Sequence, residues 1–343
     1  MASSIFGRDM AVDLGTANTL VYVRGRGVVL DEPSVVAVDA ATQELLAVGH
    51  EAKQMVGRTP EGVKVIRPLR DGVIADVEAS EQMLRYFIQQ VHQRHWLAKP
   101  RMVISVPTGI TPLERRAVKE AGYLAGARQV FLIDEPMAAA IGAGLPVHEP
   151  TGTMVVDVGG GTTEVAVIAL GAIVTSLSAR AGGDQIDAAI VAWLKKEHGL
   201  LLGEATAEDL KISLGSARWL PVEGTAEVRG RDLVSGLPSS VSLTSADLRQ
   251  AMAESVADIV DAVRSTLDQT PPELAGDIMD RGLLLTGGGG LLRGLDELIR
   301  SETGIAVHLA DNPLTTVVAG AGLCVESVEA LRPLLSIDPR RSK

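Results

Sequence analysis

Cysteine is nearly absent from this chain: among 343 residues there is one, Cys324. A lone thiol closes no internal disulfide, so a disulfide-stapled fold is excluded and a reducing compartment, the cytoplasm, is the expected setting. Aromatic residues make up 3% of the chain, so its cores must be aliphatic. No apolar run approaches the roughly 20 residues that span a bilayer. The stretch Val165–Val174 is rich in apolar residues but short, and reads as a buried strand. The chain does not open on a basic segment followed by an apolar one, so no signal peptide is expected. Net positive charge is lacking too: the balance is −11. That argues against a general grip on nucleic acid, which needs basic surface to replace counterions. It also argues against attachment to anionic lipid by charge alone.

What is present is Val, Ile, Leu, Ala and Met in quantity. The chain is 46% hydrophobic and 22% charged, the make-up of a soluble globular protein, and is long enough for two domains. Its 36 glycines gather in short runs. Such runs read as tight turns or close backbone approach.

Apolar spacing predicts the same organisation twice. Residues 9–23 read strand, turn, strand. Short strands with a helix-prone stretch near Glu51–Val56 follow, up to about Val73. Glu78–Gln93 has helical spacing, with Met83, Leu84, Phe87, Ile88 and Val91 near one face. Met102–Val106 is a buried strand stopped by Pro107, Leu113–Ala125 a helix, and Gln129–Ile133 a strand. Pro136 opens an Ala-rich helix, where proline suits the first turn. In the second half Thr153–Asp157, a glycine turn and Glu164–Ala169 repeat the opening, with a third strand at Ala172–Leu177. Helices are predicted at Asp187–Glu197, Ala207–Leu214 and Leu248–Thr266, with a β-rich excursion over Ala226–Leu243. Gly282–Leu285 is a strand leading through Gly287–Gly290 into a helix. Strand–helix alternation in both halves predicts an α/β fold.

Three glycine turns invite a chemical reading. Asp13–Asn18 ends an apolar strand; Gly15 lets backbone N–H groups turn outward, Thr16 and Asn18 add donors, and Asp13 suits a water-mediated Mg²⁺ contact. A plain hairpin explains the same residues. Asp157–Thr163 places Gly159, Gly160 and Gly161 in succession, which lets phosphate approach bare backbone. It is neither a P-loop nor a dinucleotide fingerprint, because it leads into a strand and lacks Gly-Lys-Ser/Thr. Thr286 to Leu291 holds four glycines between a strand and a helix; a flexible connection and a purine-facing surface both fit. The first two turns form an internal repeat, since both end one apolar strand and begin another.

These turns, with Asp134-Glu135-Pro136-Met137 and its Ala-rich sequel, resemble the actin superfamily. The whole chain resembles the MreB/Mbl family within it. The segments that carry the likeness are Ala11–Val23, Asp31-Glu-Pro-Ser-Val-Val, Glu135–Leu145, Met154–Ile168, Gly230–Pro238 and Arg281–Leu295, in order. The resemblance implies an actin-like, ribonuclease H-like α/β fold with duplicated domains around a nucleotide cleft. Domain I would cover 1–149, with a subdomain at about 32–74. Domain II would cover 150–325, with a subdomain at about 187–245. Residues 326–343 would pack on domain I and end in a short tail.

The resemblance also implies roles. Asp13 and Asp157 would face Mg²⁺. Gly15, Thr16, Ala17 and Asn18 would form the first phosphate loop, and Gly159, Gly160 and Gly161 the second. Gly183 and Asp184 would line the nucleotide edge. Glu208, Asp209, Leu210 and Lys211 would contact adenosine opposite Gly287, Gly288, Gly289 and Gly290. Read without the family, Glu208 and Lys211 are a solvated pair three apart on a helix. Glu135 would orient the attacking water, with Thr162 beside the γ-phosphate; a helix N-terminal acid explains Glu135 equally. Asp134 is the weaker candidate base.

The family further implies ATP/ADP and Mg²⁺ as cofactors, slow ATP hydrolysis and head-to-tail filaments, single or paired. It places the protein at the inner face of the cell membrane, with cell-wall synthesis and shape proteins as partners. Two departures stand out. Gly290 occupies a position where alanine is common in the family. The first residues, Met1–Arg8, are brief, so a long amphipathic anchor is not expected and Ile5 and Phe6 offer a small apolar tip. Membrane contact is expected instead from Trp96 and Leu97 in His95–Pro100. A small-molecule kinase and a chaperone-like ATPase on the same fold are the competing classes. The first lacks a persuasive sugar-site aspartate, and the second is expected to carry a peptide-binding domain after the core.

Overall fold

The computed structural model describes residues 8–91 and 99–336; Trp96, Leu97, Ile5 and Phe6 lie outside them. The chain forms two compact units. The first comprises residues up to Thr151, the short stretch Ile168–Val174, and the chain from Leu314 onward; the second comprises Gly152–Val167 and Thr175–Pro313.

The first unit opens with β1 (Met10–Leu14), β2 (Asn18–Val23) and β3 (Gly27–Pro33). An excursion follows: β4 (Val36–Asp39), β5 (Leu45–Val48), α1 (His50–Met55) and β6 (Val63–Ile66), whose strands form a small sheet in the order β5–β4–β6. A ribbon of β7 (Leu69–Arg70) and β8 (Val73–Ile74) leads to α2 (Val77–Val91). Then come β9 (Arg101–Val106), α3 (Pro112–Leu124), β10 (Gln129–Asp134) and α4 (Glu135–Gly142). The main sheet runs β10–β9–β1–β2–β3, with β1, β9 and β10 parallel and the β1–β2 hairpin antiparallel. Local chemistry explains the elements. Met83, Leu84, Phe87 and Ile88 give α2 one buried face, and Thr111 with Glu114 closes a capping box at the start of α3.

The second unit repeats the plan. β11 (Thr153–Val158), β12 (Thr163–Ala169) and β13 (Ala172–Ala179) are followed by α5 (Gly183–His198), β14 (Leu200–Leu201) and α6 (Glu204–Leu214). β15 (Thr225–Asp232) and β16 (Pro238–Thr244) complete a small sheet with β14, and α7 (Ser245–Asp268) and α8 (Pro272–Arg281) return the chain to the core. β17 (Leu283–Thr286), a 3-10 turn at Gly289–Leu291, α9 (Leu295–Thr303) and β18 (Val307–Leu309) finish the unit. The main sheet runs β13–β12–β11–β17–β18, with β17 parallel to both β11 and β18.

The two strand orders match position for position. In each sheet the three opening strands lie on one side and two later parallel strands on the other. A small three-stranded sheet is inserted between the two sets. β11 and β12 are buried along their whole length, which is why Met154–Val156 and Val165–Ala169 are continuous apolar stretches without the alternation of a half-buried strand.

The chain re-enters the first unit as α10 (Thr316–Glu326) and α11 (Val328–Leu331). α10 packs on α4 through glycine. A methyl group on Gly320 would overlap the Ala138 carbonyl, and one on Gly142 would overlap the Thr316 carbonyl. The backbones therefore meet directly, without side chains between them.

Candidate functional site

The first unit's site is built at one end of its sheet. Parallel register sets Asp13 beside Ser105, whose Oγ donates to the Asp13 carboxylate at 2.6 Å. Gly15 is required by crowding: a Cβ there would sit 2.7 Å from the Asn18 carbonyl. Ser34, fully buried, donates through Oγ to the Gly15 carbonyl at 2.6 Å and through its amide to the Ala17 carbonyl at 2.9 Å. Because a trans peptide points its C=O and N–H opposite ways, the Thr16 N–H faces away from Ser34. The Thr16 hydroxyl accepts from the Gly72 amide at 2.9 Å, and Asn18 Nδ2 donates to Asp31 at 2.8 Å.

Burial pushes the Asp13 carboxyl up to about 6; the Ser105 hydrogen bond opposes the rise and the nearby Asp31 charge adds to it. An unfolded aspartate titrates near 3.8. The folded chain thus holds its proton longer than the unfolded one. The stability Asp13 contributes is complete below pH 4 and is lost as pH rises through about 6. Asp13→Asn, which keeps an acceptor for Ser105 but does not titrate, is expected to stabilise the ligand-free protein at pH 7.5 by on the order of 2 kcal/mol and to do little at pH 4. Urea midpoints at the two pH values measure this; equal gains at both would remove the buried charge as the cause.

Glu135, the first residue of α4, lies at the same sheet end, since β10 continues the register from Ser105 through Val106 to Asp134. Asp134 is engaged elsewhere: its carboxylate accepts from Arg115 on α3 at 2.6 Å.

The second unit's turn has the same construction. Asp157, Gly159 and Thr162 repeat the spacing of Asp13, Gly15 and Asn18, and a Cβ on Gly159 would lie 3.2 Å from the Thr162 carbonyl. Here the partner is the start of α5. The Gly183 amide donates to the Gly159 carbonyl at 3.0 Å, and the Asp184 amide to the Gly160 carbonyl at 2.8 Å. Gln185 Nε2 donates to the Gly161 carbonyl at 3.3 Å. Three successive carbonyls point at α5, so the N–H groups of Gly160, Gly161 and Thr162 point the other way, an anion-binding arrangement. Gly182 makes the docking possible: a Cβ there would lie 2.6 Å from the Gly160 carbonyl.

The third glycine turn packs on the second. Register aligns Asp157 with Thr286. Gly287, at φ +82°, admits no side chain, because a Cβ would overlap the Val158 carbonyl and the Asp157 carboxylate. Gly289 lies against the Val158 side chain in the same way. Gly290 is different: its nearest neighbour would be the Leu285 side chain at 3.3 Å, a flexible group that can give. On α6, Lys211 reaches Gly183 and Asp187, Leu210 is in the core, and Asp209 is exposed with its carbonyl accepting from Ser213 at 2.6 Å.

Within each unit, then, the candidate residues gather: Asp13 to Asn18 with Glu135 in the first, and Asp157, the Gly159–Gly161 loop, Gly183, Asp184, Lys211 and Gly287 in the second. Sequence reading missed Ser34, Ser105, Gly182, Gln185 and Asp187. Ser105 left one trace, a polar residue inside the apolar run Met102–Val106.

The family model described as MreB/Mbl protein matches residues 7–333. The chain is 53% identical to the cell shape-determining protein MreB of Escherichia coli over 330 residues, 95% of each chain. It is 49% identical to the cell shape-determining protein Mbl of Bacillus subtilis, covering 95% of this chain and 98% of that one. The crystal structure of MreB5 of Spiroplasma citri bound to ADP superposes with a TM-score of 0.89 at 36% identity, covering 94% of this chain and 98% of the other. A MamK double helical filament shares the fold with a TM-score of 0.78 at 20% identity, over 93% of this chain and 99% of the other. The fold is the actin-like one.

Proposed function

The chain belongs to the MreB/Mbl family, and from that membership we propose that it is an ATP-binding, filament-forming cell-shape protein whose assembly is governed by slow ATP hydrolysis. The observation that carries the reading is the matched pair of Asp-x-Gly turns. Each has its carbonyls drawn onto hydrogen-bond donors of its own unit, and so each offers N–H groups to an anion. Family members of known structure support it: MreB5 of Spiroplasma citri was solved with ADP and with AMPPNP.

In this reading each turn serves to bind nucleotide. Thr16 and the amides of Gly160 and Gly161 bind its phosphates, Glu135 orients the attacking water, and Thr162 lies beside the terminal phosphate. Asp13 and Asp157 are hard oxygen donors suited to Mg²⁺, which retains water and favours carboxylates and phosphate. Among the described residues no group of three or more His, Cys, Asp or Glu could hold a metal by itself. That fits an ion arriving with nucleotide oxygens, where it would neutralise phosphate charge. The fit of the Asp13 site is chemical: a carboxylate whose charged form is disfavoured by burial gains most from a cation. Binding that favours one conformation of the chain shifts it toward the form that adds to a head-to-tail polymer.

Ultracentrifugation of the purified chain tests this. Pelleting should rise with ATP and Mg²⁺, and Glu135→Ala should slow hydrolysis by about 100-fold with ATP affinity nearly kept. A chain that pellets identically without nucleotide would sink the proposal.

Peripheral attachment to the inner membrane face, alongside wall-synthesis and shape proteins, belongs to the same reading. Trp96 and Leu97 supply its apolar contact. A charge feature supports it. At the sheet end away from Asp13, Arg101 holds Asp9 at 2.9 and 2.7 Å, and Arg128 and Arg24 approach the same carboxylate. Arg8, Arg26 and Lys99 are exposed close by in sequence. In a chain of net charge −11, Arg8, Lys99 and Arg101 thus flank in sequence the two segments that carry Ile5 and Phe6 and Trp96 and Leu97. Trp96→Ser with Leu97→Ser should lower co-sedimentation with anionic vesicles several-fold; unchanged co-sedimentation would discard the apolar contact.

A further inference from the structure

Lys211 sits on α6 with two anchors on α5. Its Nζ donates to the Asp187 carboxylate at 2.9 Å and to the Gly183 carbonyl at 3.1 Å. The two side chains are 17% and 12% exposed, so the pair is largely shielded from water. Burying such a pair costs desolvation, and a pair of apolar residues would often serve stability as well. Asp187 also leaves its second oxygen, Oδ1, buried and without a hydrogen-bond partner. A carboxylate kept for stability alone is expected to have both oxygens satisfied. Burial raises the Asp187 carboxyl to about 6, opposed by the Lys211 charge and hydrogen bond.

The place where the link lands supplies a reason. Gly183 begins the turn of α5 whose amides and Gln185 side chain hold the carbonyls of Gly159, Gly160 and Gly161. The bonds run without a gap from Asp187 to Lys211, from Lys211 to the Gly183 carbonyl, and from the Gly183 amide to Gly159. There is little slack along it, since even a Cβ on Gly183 would lie 3.1 Å from the Lys211 ammonium.

We propose that Lys211 and Asp187 are positioning residues: the pair clamps the first turn of α5, and that turn fixes the peptide planes of Gly159–Gly161 so that their N–H groups converge on phosphate. This rests on the nucleotide-binding reading above. It gives Lys211 a different task from the adenosine contact that the family likeness implies. Two of the three N–H donors of Lys211 are committed to protein acceptors. The ammonium therefore acts on the loop and leaves the identity of the base unread.

Equilibrium titration of the full-length chain with ATP and with GTP separates the two tasks. Lys211→Met should weaken both nucleotides alike, by about 10-fold, with their ratio held within about twofold. Adding Asp187→Asn to Lys211→Met should cause no further loss, because the clamp is already open. A change in the ATP-to-GTP ratio of about fivefold or more in Lys211→Met would overturn the clamp in favour of direct base contact. So would a double variant whose loss equals the product of the two single losses. If Asp187→Asn does not fold, the ratio in Lys211→Met decides alone. Wild-type protein that binds neither nucleotide would sink the functional reading, and the clamp with it.

Discussion

Asp157→Ala is expected to lower Mg²⁺-dependent ATP turnover by at least about 100-fold, roughly 2.7 kcal/mol of transition-state stabilisation. Asp157 is 7% exposed, at the end of a strand buried on both faces, and the Gly287 backbone packs so closely that no side chain fits between them. The carboxylate is thus held in one place by the surrounding backbone. Its negative charge is the part of the turn that alanine removes. The fold should tolerate the change, because a small apolar residue in a buried strand avoids the cost of a buried carboxylate. Steady-state phosphate release measures the effect, with circular dichroism as the check on folding. Turnover within twofold of wild type would remove Asp157 from the metal role and leave it a structural residue.

Gly320→Val should be the most damaging change to stability, at about 3 kcal/mol or more. The added carbons would occupy the position of the Ala138 carbonyl, and a Cβ on Gly142 would likewise overlap the Thr316 carbonyl, so the two helices meet backbone to backbone at both points. Overlap with backbone is not relieved by a rotamer change, so α4 and α10 must separate. α4 carries Glu135 at its first turn, and the functional site would be disturbed along with the core. Gly276→Ala makes the contrast. It lies inside α8 with no atom near the new methyl, and should stabilise by about 0.5–1 kcal/mol. Urea unfolding of both variants tests the pair. A Gly320→Val protein as stable as wild type would mean that the helices have room to part.

The element pattern was legible because apolar spacing is local. α2 and α3, the strands on either side of the first two glycine turns, and the β-rich excursion that forms β15 and β16 appear where the spacing puts them. α10 escaped, since most of Thr316–Glu326 is buried, its exposed position Leu323 is itself apolar, and it carries two interior glycines, which removes both the amphipathic stripe and the helix propensity that such reading depends on. Gly320 and Gly322 make sense only in contact: one meets a carbonyl and the other the Tyr22 ring.

The residues of this chain fix by themselves where carboxylate and glycine recur, which strands are continuous apolar runs, and which family the chain resembles. The tertiary structure alone decides which way the peptide groups of those turns face. It brings Ser105 to Asp13 across 92 residues and Lys211 to Gly183 across 28, and it turns Ser34 onto Gly15. The physical reason is that a hydrogen bond is set by strand register and helix docking, which come from the burial of whole faces. A turn sequence specifies the conformations open to it; the partner that selects one of them is supplied by distant parts of the chain.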